Sequence, residues 1–241
     1  MTANKAQIER NLQLIRKNVE VACAKANRLP QEVSLVAVTK TVGLDAIEAM
    51  LELGVTDLGE NRAQQLVARA EETAACLQAR TQPLAGKVRW HMIGHVQRNK
   101  VKAVLEVAEV IHSVDSLRLA EEINARAEQM GRVVDVLLQV NCSQEEQKYG
   151  VAVGAATHLG ELIGTLPHVR LVGLMTMAPL VSDLELARAA FLRLREVFEE
   201  MRSDRIGGEH LRHLSMGMSN DYVVAVEEGA TIIRIGTALF S

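Results

Sequence analysis

Apolar and polar positions along this chain fall into two alternating rhythms. Residues 5 to 27 place Ile8, Leu12, Ile15, Val19 and Ala22 three or four apart with charged residues between them, which predicts an amphipathic helix. The pattern then changes to an unbroken apolar run from Val33 to Thr39, ended by Lys40, which reads as a strand buried on both faces. Helical spacing returns over residues 44–53, 61–78, 97–105, 116–130, about 155–166, 184–202 and 221–228, with Ser116 placed to cap its helix. Short apolar runs separate these helices at residues 55–59, 88–93, 110–113, 133–140, 169–174, 211–215 and 231–235. Eight strands alternating with helices argue for a parallel sheet, and eight such units favour a closed (β/α)8 TIM barrel over an open doubly wound sheet. The leading helix is additional to that count. No low-complexity linker interrupts the pattern, so residues 1–241 are expected to form a single domain.

A barrel of this kind gathers its chemistry at the C-terminal ends of its strands. The polar clusters fall there: Lys40 after the first strand, Gly59-Glu60-Asn61-Arg62 after the second, and His91 to Asn99 at the third. Ser113 to Ser116, Asn141, Met175 to Ala178, Ser215 to Asn220 and Arg234 to Thr237 follow the remaining five. Lys40 is the most suggestive of these. An amine at the mouth of a low-dielectric pocket has its charged form disfavoured, which makes it a nucleophile toward an aldehyde.

Composition narrows the partners. Lys and Arg total 27 against 30 Asp and Glu, a formal charge of -3, so no basic field collects nucleic acid or anionic lipid. Aromatic residues are only 2% of the chain, which removes base-stacking platforms and predicts an aliphatic interior of Leu, Val, Ile, Ala and Met. Cys23, Cys76 and Cys142 are too scattered for a disulfide framework or a zinc knuckle. The polar N-terminus and the lack of a membrane-length apolar run point to a cytoplasmic protein.

The segment Leu214-Ser215-Met216-Gly217-Met218-Ser219-Asn220-Asp221 sets small residues and hydroxyls before a helix start, and Arg234-Ile235-Gly236-Thr237 adds a second glycine and hydroxyl after the last strand. Loops after strands seven and eight of a barrel are a common phosphate site, so the two segments are expected to converge on one anion. Arg234, between Ile233 and Ile235, should point to the face opposite theirs. Beside a pyridine nitrogen, an arginine that stays protonated would restrain the ring as an electron sink; the plain alternative is a salt bridge at the barrel mouth with Glu60 or Asp57. A phosphorylated aldehyde on a pyridine ring is pyridoxal phosphate. His91 and His95 are four apart but have Gly94 between them and no nearby carboxylate, so a polar role at the rim is expected and no metal. Cys142 has no neighbour in sequence that would activate it, and residues 144–148 read as a solvated loop. Lys100, Lys102 and Lys148 offer further amines near the rim.

These residues resemble the pyridoxal phosphate homeostasis proteins, whose barrel is similar to the N-terminal domain of alanine racemase. The carriers of the resemblance include Val36-Ala37-Val38-Thr39-Lys40, Gly59-Glu60-Asn61, Trp90-His91-Met92-Ile93-Gly94-His95, His112-Ser113-Val114-Asp115-Ser116 and Gly173-Leu174-Met175-Thr176. The segments around Ser215 and Arg234 complete the set, and together they span nearly the whole chain. The strand-one motif departs slightly at Thr39 and Gly43. The resemblance implies that Lys40 carries pyridoxal phosphate as a Schiff base. It places Ser215, Met216, Gly236 and Thr237 around the phosphate, Arg234 near the pyridine nitrogen, and Asn61 and His91 beside the ring. It further implies a carrier that buffers the cofactor and supplies apo-enzymes dependent on it. A closed barrel hides its sheet edges, so a monomer or weak dimer is expected. The alternative is an amino-acid racemase, which needs an acid or base on each face of the bound substrate. In racemases of this type the second is a tyrosine from a further domain. The sequence closes at Ser241, six residues after Ile235, and offers only Tyr149 and Tyr222, so catalysis is not expected.

Overall fold

The computed structural model describes residues 4–80, 86–143, 145, 149–179 and 183–241. Helix α1 (Lys5–Lys25) starts at Asn4, whose side chain accepts the Ala6 N–H at 3.1 Å. Its buried stripe of Ile8, Leu12, Ile15, Val19 and Ala22 is the one its spacing predicts. The chain then runs β1 (Ser34–Val38), α2 (Leu44–Glu52), β2 (Asp57–Glu60), α3 (Ala63–Gln78), β3 (Arg89–Met92), α4 (Val101–Leu105), β4 (Val110–Val114), α5 (Leu117–Gln129) and β5 (Val134–Asn141). It continues with β6 (Val151–Ala152), α6 (Val153–Gly164), β7 (Val169–Met175), α7 (Leu184–Ser203), β8 (His213–Ser215), α8 (Tyr222–Glu227), β9 (Ile232–Ile235) and α9 (Thr237–Phe240).

All strand pairs are parallel, in the order β4-β3-β2-β1-β9-β8-β7-β5, and the pairing of β4 with β5 closes the circle. Eight strands therefore form the TIM barrel that the pattern predicts. The two-residue β6 pairs with the end of β5 outside that circle, through Val140 with Val151. It was not foreseen, because two residues carry no periodicity. Helix α1 lies outside the barrel against α2, α8 and α9. Asn11 donates to the carbonyls of Leu239 and Ser241 at 3.0 and 2.9 Å, which pins α1 to the last turn of the described chain. Among the described residues no helix is long and apolar enough to cross a membrane.

Three expectations change in detail. The segment after β3 begins as a 3-10 turn over Arg98–Lys100 before becoming α4. Ser116 occupies the N-cap position of α5, but its side chain makes no capping hydrogen bond. The larger change concerns the interior. The layer between strands and helices is aliphatic as expected, but inside the barrel Val36, Val110, Leu137, Val172, Met175 and Ile232 share the space with buried His91, His112, Ser215 and Arg234. Composition could not reveal this, because a few polar residues at inward strand positions scarcely alter an average.

Candidate functional site

The register of β1 and β9 assembles the rim. Ala37 pairs with Ile235, so Val38 and Gly236 are neighbours one step further on, and a Cβ added to Gly236 would lie 3.4 Å from Val38. Lys40 follows two residues later, exposed in the turn that leaves β1. Its segment is anchored from below: Thr39, fully buried, donates its hydroxyl to Glu60 Oε1 at 2.6 Å, and Arg69 donates to the Val42 carbonyl. Burial pushes the Glu60 carboxyl above its ordinary 4.5, with Thr39, Arg69, the Asn61 N–H and Lys40 pulling the other way.

The loops after β8 and β9 converge as the sequence suggests. Arg234 N–H donates to the Gly217 carbonyl at 3.0 Å, and Ala238 N–H donates to Ser219 Oγ at 3.1 Å. Gly217 has φ +93°, where an L side chain is strained, and a Cβ there would sit 2.6 Å from Ala225. Asp221 accepts the Met218 N–H at 2.6 Å and fixes the turn. Gly236 and exposed Thr237 open α9, and the first N–H groups of a helix have no intrahelical partner. Met216 is differently disposed. Its side chain is fully buried in the outer core and its N–H donates to the Ile232 carbonyl at 3.1 Å, so it brings shape to the cradle and no free donor.

Arg234 does point inward, 4% exposed, and donates to Ser215 Oγ at 2.7 Å and to the Thr176 carbonyl at 3.0 Å. The salt bridge to Glu60 or Asp57 does not form: Glu60 is held by Thr39, and Asp57 is held by His91 at 2.9 Å and approached by Arg89 at 3.5 Å. Burial pushes the Arg234 guanidinium down to about 10, with Asp221 opposing, so it remains a cation at neutral pH. A buried guanidinium with hydrogen bonds but no carboxylate within ion-pair distance among the described residues is an arrangement that an acceptor above it would complete. A ring nitrogen with a free lone pair is one acceptor that such a cation fits.

Asn61 lies half-buried at the end of β2, and Gly94 packs against it so closely that a Cβ would fall 2.1 Å from the Asn61 carbonyl oxygen. His91 is placed deeper than its motif suggests. It is 3% exposed inside the barrel, hydrogen-bonded to Asp57 and His112, while His95 sits on the rim, stacked on Tyr149 with ring centroids 4.3 Å apart. The two histidines are therefore separate, and among the described residues no cluster could hold a metal. Cys142 is buried and its thiol is pushed up to about 11 by that burial. Lys100 and Lys102 follow β3 as expected; Lys148, with most of the 144–148 loop, lies outside the described residues.

The sequence reading missed His112 and Thr176 as functional positions. His112 interrupts the apolar run Val110-Ile111 with an inward-facing polar group, a signal that was present but had no partner in sequence. Thr176 acts through its carbonyl, which no sequence pattern reveals.

Residues 10–241 match the family described as alanine racemase, N-terminal domain. A pyridoxal phosphate homeostasis protein of Aquifex aeolicus is 38% identical over 95% of both chains, and one of Escherichia coli K12 is 32% identical over 97% of this chain and 95% of its own. Among solved structures, an unknown protein from Bifidobacterium adolescentis superposes with a TM-score of 0.91 at 38% identity, covering 98% of this chain and 95% of that one. PipY of Synechococcus elongatus with PLP bound gives 0.81 at 32% identity, covering 97% and 100%. An alanine racemase of Clostridium difficile shares the fold, with a TM-score of 0.73 at 14% identity over 99% of this chain and 57% of its own. With its barrel, its rim and near full-length identity pointing the same way, this chain belongs to the pyridoxal phosphate homeostasis proteins of the alanine racemase N-terminal domain family.

Proposed function

We propose that this protein binds pyridoxal 5'-phosphate through the Lys40 amine at the barrel rim and buffers or supplies it, without robust catalysis of its own. The observation that carries the reading is Arg234: a buried cation, fixed by Ser215 and the Thr176 carbonyl, in the strand whose end lies beside the end of the Lys40 strand. Bound pyridoxal phosphate supplies an aldehyde that condenses with amines and a ring that withdraws electrons. Lys40 is the amine at the right height. Gly236, Thr237 and the 215–219 backbone form the anion-facing wall, while Asn61 borders the ring and His91 supports it from inside the barrel. An arginine donating toward a pyridine nitrogen leaves that nitrogen unprotonated, which favours holding the cofactor over carbanion chemistry.

The racemase alternative asks for a second acid or base across from Lys40. Tyr222 is occupied elsewhere, its hydroxyl accepting from Asn18 on α1 at 2.8 Å, and Tyr149 stacks on His95. Absorption separates the readings. Wild-type protein given the cofactor should turn yellow, and Lys40→Ala should stay colourless with unchanged circular dichroism; a variant that keeps the colour removes Lys40 from the reading. Solvent deuterium entering the Cα of alanine at enzymatic rates would replace the carrier by the racemase. Recovery of activity by an added apo-enzyme dependent on pyridoxal phosphate measures supply.

A further inference from the structure

A continuous hydrogen-bonded chain crosses the inside of the barrel from the start of β2 to Arg234. Asp57 Oδ1 is 2.9 Å from His91 Nε2, His91 Nδ1 is 2.9 Å from His112 Nε2, and His112 Nδ1 is 2.9 Å from Ser215 Oγ. Arg234 Nη1 is 2.7 Å from the same Oγ. His91, His112, Ser215 and Arg234 are all at most 4% exposed, while the Asp57 side chain is 23% exposed and lines an open cleft of about 460 Å3 beneath α1.

With both histidines neutral, the two ends of this chain fix the direction of everything between them. A guanidinium can only donate and an ionised carboxylate can only accept. With His91 neutral, its Nε2–H donates to Asp57, so its Nδ1 is an acceptor and takes the hydrogen of His112 Nε2. His112 Nδ1 is then also an acceptor and takes the hydroxyl hydrogen of Ser215, whose lone pair accepts from Arg234. Every hydrogen points from the rim toward Asp57. The reverse order, with His112 Nδ1–H donating to Ser215, leaves His112 Nε2 bare and requires His91 to carry protons on both nitrogens. Burial lowers the His112 pKa well below 6.5, which supports its neutral form. Asp57 is raised by burial but drawn down further by His91 and Arg89, so its carboxylate is the lasting acceptor.

We propose that Asp57, from the end of the barrel opposite the rim, is a positioning residue for Arg234: through His91 and His112 it holds the Ser215 hydrogen pointing inward and keeps the Ser215 lone pair aimed at the guanidinium. Two consequences follow from the direction of the chain. The Ser215 hydroxyl is a strut beneath Arg234 and has no hydrogen to give an anion, so side-chain donation to a phosphate falls to Thr237 and to Ser219, whose Oγ only accepts from the Ala238 N–H. Arg234 is also held at a set height without an ion pair, which leaves its charge for a ligand. Both consequences rest on the cofactor reading; the order of hydrogens belongs to the protein alone.

The test uses nitrogen-15 NMR of the cofactor-free protein at pH 7.5, then absorption of the loaded protein. Both His91 and His112 should show a protonated Nε2 and a bare Nδ1. In Asp57→Ala both rings should move toward mixed tautomers, and in Asp57→Asn, which keeps an acceptor oxygen, the wild-type pattern should return. The loaded Asp57→Ala protein should show a shifted absorption maximum and about tenfold weaker cofactor binding, the loss of one charge-assisted hydrogen bond's worth of order, with Asp57→Asn again close to wild type. A protonated His112 Nδ1 in the wild-type protein overturns the proposal without touching the cofactor reading. So does an Asp57→Ala protein whose tautomers and absorption both match wild type. If the tautomers respond but no form of the protein takes up the cofactor, the chain stands and the carrier reading falls, together with the role given to Arg234.

Discussion

The Thr39 hydroxyl donates to Glu60 Oε1 at 2.6 Å, while Glu60 Oε2, equally buried, has no hydrogen-bond partner among the described residues. Thr39 is the residue immediately before Lys40, so this bond ties the carboxylate at the end of β2 to the backbone that presents the amine. Thr39→Val keeps the shape and removes the donor. It should cost about 1–3 kcal/mol, since both carboxylate oxygens then lack a side-chain donor, and it should weaken cofactor uptake by freeing the Lys40 turn. Urea unfolding and absorption titration check the two effects, and uptake equal to wild type would show that the turn is held without Thr39.

Glu60 also sets a pH dependence. Its pKa in the folded protein is raised above 4.5, chiefly by burial, so its contribution to stability is fully present below pH 4.5 and is lost as pH rises through the folded value. Glu60→Gln should flatten this part of the curve, with the unfolding midpoint becoming less sensitive to pH above 4.5. An unchanged slope would place the raised titration on another group.

His112 acts in the opposite sense. Burial holds its folded pKa well below 6.5 and burial likewise lowers that of His213, so the neutral forms add stability that is present above pH 6.5 and lost as the pH falls below it, where the unfolded chain takes up the protons. Thermal unfolding between pH 7.5 and 5 should show a falling midpoint. His112→Asn should reduce that fall while lowering stability at pH 7.5 by about 1–3 kcal/mol, because its buried partners His91 and Ser215 are left unmatched.

Gly94 has no room for a side chain, since a Cβ would fall 2.1 Å from the Asn61 carbonyl oxygen, which is backbone and cannot swing aside. Gly94→Ala should therefore destabilise by about 1–3 kcal/mol and displace Asn61 from the rim, reducing cofactor affinity. The backbone amides around Ser113, whose hydroxyl donates to the Gly94 carbonyl at 2.6 Å, should lose protection in hydrogen exchange.

Cys142, 1% exposed with its thiol pushed up to about 11, should resist alkylation at pH 8 in the folded protein and react once urea unfolds it. Rapid labelling under native conditions would mean that the β5 end opens readily.

The sequence by itself determined the alternation of strands and helices, the barrel they build and the rim on which Lys40, Asn61, Gly236 and Thr237 are found. Those features are local: periodicity marks each element, and parallel strands must all end on the same side. It also determined that Arg234 faces inward, because neighbouring strand positions alternate between faces. Only the tertiary structure decided what Arg234 meets. Its partners Ser215 and Thr176 come from β8 and the turn after β7, and the chain continues through His112 and His91 to Asp57 on three further strands. Barrel closure sets these residues face to face across distances of 19 to 103 positions in sequence. A buried hydrogen bond depends on partners and direction, and neither is written in the spacing of residues along one strand.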